Sequence, residues 1–268
     1  MDYINLDKII KEGNSKILKR MPKPCVKLLK LYIREQEVNR ILTKYSDSQG
    51  IDFLLNIIDE LNIKVEIEGL DNLPEDGKCF FVANHPFGFV DGLILTSTVG
   101  RKYGDFRAIG NETFLLVPHL KSNIAAVNVF GTNPKNYTLE LQKLFSTDMP
   151  ITHFPAGLVS RIRNWRVEDS PWKKSFIKQA RDNNRDIVPF YFSGRNSRLF
   201  YTIFLIRKTL GIKACLELSM LPHEIFNKKN KTIRVRIGKP IPYQTFDKSK
   251  SLHDWAEYVR KHIYSLKK

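Results

Sequence analysis

Three cysteines, Cys25, Cys79 and Cys215, are too few and too far apart for a disulfide framework, and none lies in a C-x-x-C pair. A reducing cytoplasmic setting is therefore expected. No apolar run approaches the ~18 residues of a membrane-spanning helix. The opening stretch, Met1-Asp2-Tyr3-Ile4-Asn5-Leu6-Asp7-Lys8, puts acids where a signal peptide carries an apolar core, so no cleaved leader is expected. Repeats and low-complexity tracts are absent, which sets aside solenoids and disordered linkers. His85, His119, His153, His223, His253 and His262 show no paired ligand spacing, so no bound metal is expected. There is no G-x-S-x-G around Ser160 or Ser193, which disfavours a serine hydrolase.

Acidic residues are also scarce, 28 against 44 Lys and Arg, leaving a net charge of +16. The imbalance is uneven. Residues 51 to 100 hold 2 basic and 9 acidic side chains, whereas residues 151 to 250 hold 21 basic and 7 acidic. A basic surface of this kind seeks anions: nucleic acid, lipid headgroups or a charged small substrate. With 42% hydrophobic and 11% aromatic residues the chain can build a sizeable core.

Between Lys8 and Tyr45 stand 11 Lys and Arg against 3 Glu, interleaved with Ile17, Leu18, Met21, Val26, Leu28, Leu29, Leu31, Tyr32 and Ile33. Pro22 and Pro24 predict a division into two helices. Such a basic amphipathic pair either lies on an anionic membrane surface or packs its apolar stripe on the main body, and composition leaves both open. Residues 1–49 are read as this element and 50–268 as the main domain. The segment Leu199–Ile206 is apolar on nearly all sides but covers only about 12 Å as a helix. It predicts either a buried helix or one that dips into one leaflet or lines an acyl-chain pocket.

After Gly50 helical and alternating patterns succeed one another. Ile51, Leu54, Leu55, Ile58 and Leu61 recur at helical spacing, and Ile63, Val65 and Ile67 alternate with charges as in a strand. Further strands are predicted at 79–83, 125–130, 151–154, 187–192 and 233–237, with helices near 91–100, 134–147, 172–184 and 252–266. The fold class is α/β, with helices covering a largely buried sheet. Pro189 inside a strand-like run is the discordant residue.

One stretch carries chemistry: Asn84-His85-Pro86-Phe87-Gly88-Phe89-Val90-Asp91-Gly92. A histidine at the carboxyl end of a strand stands where α/β folds display ligand-binding groups. Pro86 and Gly88 predict a loop, so that Asp91 folds back toward His85. The imidazole can then take a proton while the carboxylate fixes its tautomer. On spacing alone, a catalytic base and a structural hydrogen-bonded pair both fit.

This stretch resembles motif I of the glycerolipid acyltransferases, the lysophosphatidic acid acyltransferase superfamily, whose usual form is His-x4-Asp. Here one more residue intervenes, and His-Pro-x-Gly-x-x-Asp-Gly is similar to the hemolysin-like branch that includes the ornithine-lipid and glycine-lipid O-acyltransferases. The likeness continues in order through Phe154-Pro155-Ala156-Gly157-Leu158-Val159-Ser160-Arg161, Trp172–Phe176, Val188–Ser197 and, more weakly, Gly238–Ile241. It implies a mixed central sheet flanked by helices and an enzyme without a bound cofactor. His85, oriented by Asp91, would move an acyl group from acyl carrier protein or acyl-coenzyme A to a lyso-lipid hydroxyl. It further implies substrate contacts at Asn84, Gly88, Phe154, Pro155, Gly157, Ser160, Arg161, Arg195 and Asn196, with backbone donors of the Gly157 loop at the oxyanion. Arg161 and Arg195 would offer forks to an acidic headgroup.

Two departures bear on the acceptor. Ala156 stands where the family has glutamate, and Val127-Asn128-Val129-Phe130-Gly131 has no arginine where the wider family's second motif carries one. Both weaken the case for lysophosphatidic acid, whose acyltransferase is the second reading, and an aminoacyl lyso-lipid fits the resembled branch better. A noncatalytic lipid-binding protein and a nucleic-acid binder also fit so basic a chain. Because the sequence carries no nucleic-acid-binding signature, no nucleic-acid partner is expected. The protein is expected to sit on the cytoplasmic face of the membrane.

Overall fold

The computed structural model describes residues 3–12, 19–128, 135–163, 165–212 and 215–267. Before Gly50 three short helices are described: α1 (Leu6–Glu12), α2 (Lys23–Tyr32) and α3 (Glu35–Lys44). Pro24 sits in the first turn of α2, where a missing N–H costs nothing. The second break is not proline's. It falls at Arg34, whose φ of 54° lies in the left-handed region. Ile17 and Leu18 lie outside the described residues.

The two longer helices of this element differ. α3 buries Ile41 and Leu42 in the main core beside Phe53 and Leu54 of α4 (Gly50–Glu60). Its Arg40 and Lys44 both pair with Glu60, which holds the Glu60 carboxyl down at about 2. α2 buries no residue fully, and Leu28 and Leu31 are 66% and 65% exposed.

The remaining elements in chain order are β1 (Lys64–Glu68), β2 (Cys79–Ala83), α5 (Phe89–Tyr103), β3 (Arg107–Asn111), β4 (Ile124–Val127), α6 (Lys135–Phe145) and β5 (Ile151–His153). They continue as β6 (Arg161–Arg163), β7 (Arg166–Glu168), α7 (Ser175–Asp182), β8 (Asp186–Ser193), α8 (Arg198–Thr209), α9 (Leu221–Phe226), β9 (Thr232–Ile237) and α10 (Leu252–Ser265). Seven strands form one sheet in the order β1-β9-β8-β2-β5-β3-β4, while β6 and β7 form a separate antiparallel hairpin. Every contact in the large sheet is parallel except β8 with β9, so the sheet is mixed.

Period-two alternation decides the layers. Phe81, Val188, Phe190 and Phe192 face the cluster that α4 and α5 cover, whereas Phe80, Val82, Ile187 and Tyr191 face the one that α7 and α10 cover. β2 is buried along its whole length, as expected of a central parallel strand. A third, smaller cluster of Val159, Phe200, Tyr201 and Met220 seats α8 against the β6–β7 hairpin and Tyr32.

Pro189 is accommodated by a bulge. Ile187 pairs with Ile241 and Phe190 with Ile237, so one extra residue fits on the β9 side, where the Pro189 carbonyl accepts from Gly238 N–H at 2.8 Å. Arg185, fully buried just before β8, donates to the carbonyls of Leu144, Phe145, Thr147 and Met149 at the end of α6. It thereby fills acceptors that a helix end leaves open. No helix among the described residues is long and apolar enough to cross a membrane.

Candidate active site

β8, β2 and β5 are parallel neighbours, so their carboxyl ends share one edge of the sheet. That edge displays His85 after β2, Phe154 after β5 and Asn196 after β8. The loop expected around Pro86 and Gly88 is shorter than predicted, because α5 already begins at Phe89 and Asp91 sits in its first turn. There Asp91 Oδ2 accepts from the N–H groups of Phe87 and Gly88 at 2.8 and 2.9 Å and lies 3.0 Å from His85 Nδ1. Gly88 makes this possible with φ of 89°, and a Cβ there would meet Leu221 at 2.9 Å.

Asp91 is fully buried, and burial pushes its carboxyl above the usual range against the opposing bonds from His85, Phe87 and Gly88. With Nδ1 facing a carboxylate, the ring's proton belongs on that side and Nε2 is left to accept. The ring is stacked on Phe154 at a centroid distance of 4.1 Å and its side chain is 16% exposed. The neighbouring histidine, His153, is a poor base by contrast. Burial, with the charges of Lys173 and His85, pushes it down to about 3.

A second carboxylate holds His85 from behind. Asp169, also fully buried and pushed up by burial, accepts from His85 N–H at 3.2 Å, Ser160 Oγ–H at 2.6 Å and Trp172 Nε1–H at 3.0 Å. Ser160 N–H in turn donates to the His85 carbonyl at 2.8 Å. No motif or spacing in the sequence singles out Asp169. One signal is available: residues 151–250 contain only 7 acids, and Asp169, Glu217 and Glu224 among them are all essentially inaccessible.

The residues expected to touch substrate fall into different places. Asn84 exchanges both ends of its amide with the Phe192 backbone, at 2.7 and 3.0 Å, and so extends the β2–β8 pairing. Pro155 accepts from Lys173 N–H, and the Gly157 N–H is spent on the Phe154 carbonyl, so that N–H is not free for the oxyanion role expected of it. Ser160 Oγ points at Asp169. Arg161 is buried and its guanidinium engages Glu217 and the Val159 carbonyl, with Arg207 closing on the same glutamate. Its fork is therefore occupied. Arg195 is exposed, and Asn196 is buried beside it. Ala156 packs in the cluster of Trp172 and Phe176, a dry site for the glutamate of other sequences.

Beyond Asp169 lies a groove of about 730 Å³, lined by Arg163, Arg207, Lys208, His253 and Arg260 together with Phe204. Glu168 and Glu257 line it too, both paired with Arg260. Among the described residues there is no group of three His, Cys, Asp or Glu side chains able to hold a metal ion.

Comparison with known proteins gives the family. The acyltransferase family matches residues 8–268. A lyso-glycine lipid O-acyltransferase from Phocaeicola vulgatus is 38% identical over 98% of this chain and 95% of its own length. One from Bacteroides thetaiotaomicron is 39% identical over 98% and 97%. The crystal structure of the 1-acyl-sn-glycerophosphate (LPA) acyltransferase PlsC from Thermotoga maritima aligns with 92% of this chain and 98% of its own at a TM-score of 0.49 and 18% identity. A family match that runs almost end to end, over a sheet edge that exposes one histidine to a shielded carboxylate, leaves a single assignment: this chain belongs to the acyltransferase family and is an acyltransferase.

Proposed function

We propose that the protein transfers a fatty acyl group from a thioester to the hydroxyl of a lyso-glycine lipid or a closely related aminoacyl lyso-lipid. The observation that carries the mechanism is Asp91, fully buried and bonded through one oxygen to His85 Nδ1 and two backbone N–H groups. His85 Nε2 takes the proton of the acceptor hydroxyl as its oxygen attacks the thioester carbonyl. The shielded carboxylate stabilises the imidazolium that forms. Collapse of the tetrahedral intermediate expels the thiolate, which the imidazolium protonates, so no acyl-enzyme is required. The acceptor assignment is supported by the two relatives of that name and by Ala156.

The donor is acyl carrier protein or acyl-coenzyme A, and the basic groove beyond Asp169 suits the phosphate of its pantetheine arm. Residues 1–49 dock on the cytoplasmic face of an anionic membrane through Leu28 and Leu31 of α2. Leu205, Ile206 and Leu210 at the end of α8, beside Lys208, are exposed as well and offer a second apolar contact. Tyr32 at the end of α2 reaches the cluster that seats α8.

The test is incubation of purified protein with each thioester donor and a panel of lyso-lipids, read by mass spectrometry. Acylation of the glycine lipid at the 3-hydroxyl supports the reading. Preference for lysophosphatidic acid overturns the acceptor, and undiminished turnover by His85→Ala overturns the mechanism.

A further inference from the structure

One buried cation near the catalytic loop has no anion among the described residues. Lys228, in the turn after α9, is 7% exposed. Its Nζ donates to the Arg195 carbonyl at 3.0 Å and lies 4.7 Å from the centroid of the Phe87 ring. No carboxylate among the described residues forms an ion pair with it. The two acids whose charge reaches it, Glu224 and Asp91, form no ion pair with it among the described residues, although Asp91 Oδ1 is buried there without a hydrogen-bond partner. Glu224 is itself buried and gives its oxygens to Ser197 N–H at 2.9 Å and to Ser197 Oγ–H. Asp91 Oδ2 serves His85, Phe87 and Gly88. Burial lowers the Lys228 pKa, helped by the charge of Lys231 and opposed by those of Glu224 and Asp91.

The peptide that Lys228 touches leads straight to a second anomaly. Asn196 is 4% exposed, and both the oxygen and the nitrogen of its side-chain amide are buried with no hydrogen-bond partner among the described residues. Buried amides are almost always paired, so an orphan on both ends marks a place kept for something else. Phe87 joins this corner to the chemistry. Its N–H donates to the oxygen that holds His85, and its ring lies beneath the Lys228 ammonium.

We infer that Lys228 and Asn196 form a headgroup site that reads a carboxylate and the amide beside it on the acceptor. Lys228 Nζ supplies the counter-charge, Asn196 Nδ2 donates to the carboxylate, and Asn196 Oδ1 accepts the amide N–H of the amide-linked chain. Arg195, whose carbonyl accepts from Lys228, has an exposed side chain. This rests on the aminoacyl-lipid reading above and adds the residues that select it. A phosphate monoester would match the ammonium but leave Asn196 Oδ1 without a donor.

The experiment holds the thioester donor fixed and compares two acceptors that differ only at the terminus, lyso-glycine lipid and its primary carboxamide. Wild type favours the free carboxylate by about 10- to 100-fold in kcat/KM, the range of a hydrogen bond to a charged group. Lys228→Met brings that ratio to within about threefold of unity, a shift that general loosening of the loop does not produce because both acceptors then lose equally. Asn196→Leu carries the same test if Lys228→Met fails to fold, and lowers the ratio by about 10-fold. An unchanged ratio in a folded Lys228→Met or Asn196→Leu enzyme overturns the site, as does a wild type that treats both acceptors alike, while either leaves the acyltransferase reading standing. Failure of wild type to acylate any aminoacyl lipid, with lysophosphatidic acid accepted, overturns the reading beneath it.

Discussion

Asp91 and Asp169 are both closed to solvent, both raised by burial and both bonded to His85, yet they take hold of it at different points. Asp91 meets the ring at Nδ1, whereas Asp169 takes the backbone N–H and joins it to Ser160 and Trp172. In the proposed mechanism the first sets the proton affinity of the base, and the second sets where the base stands. A carboxylate is suited to either task because it accepts several donors at once, but only the ring partner shares in the charge that develops during reaction.

His85→Ala removes the ring that Asp91 holds and leaves Asp169 its backbone donor, and kcat should fall by about 10³-fold or more with the melting temperature nearly unchanged. Asp91→Asn should lower kcat by roughly 10²-fold and distort the pH–rate profile, because the amide cannot stabilise an imidazolium. If Asp169→Asn does the same to the profile, the division of labour is wrong. That variant instead keeps one acceptor oxygen and turns an amide donor toward the donors on the other, so it should cost about 1–3 kcal/mol in urea unfolding and shift the profile little. Ser160→Ala, which deletes one of those donors, should cost about 1 kcal/mol and leave kcat within a few-fold.

Acid sharpens the comparison further. The folded carboxyls of Asp91 and Asp169 lie above their ordinary 3.8, so lowering the pH from those raised values toward 3.8 relieves a burial penalty. Wild type should therefore gain on each Asn variant in thermal melts as the pH falls through that window. Glu60 has the opposite sign. Its carboxyl is held at about 2 rather than 4.5 by Lys44 and Arg40, so its contribution is lost as the pH drops from 4.5 toward 2. Hydrogen exchange should show α3 loosening from α4 over that range, and Glu60→Gln should show no such step.

How much of the molecule is legible in the sequence depends on the distance between partners. β2, β8 and β9 are apolar or alternating runs and can be read directly, as can the pairing of His85 with Asp91 six residues on. β3 cannot, because Arg107-Ala108-Ile109-Gly110-Asn111 is a strand by its neighbours β4 and β5 rather than by its own pattern. The β6–β7 hairpin hides in an arginine-rich stretch with three-residue arms. Arg161 reads as a free fork because the glutamate that occupies it lies 56 residues later, and Asp169 reaches His85 across 84. Such closures are made by tertiary packing, which local composition does not record.

Arg185 has a consequence for substitution and for reach. Four carbonyls on a turn need a planar group with several fixed donors, and lysine, with one small ammonium, cannot span them. The turn so pinned feeds directly into β5, and β5 ends at the phenyl ring that lies on His85. An arginine-to-lysine exchange at the opposite end of the strand from the reaction would thus be felt as a tilt of the aromatic floor, a change in turnover from a position that no substrate approaches.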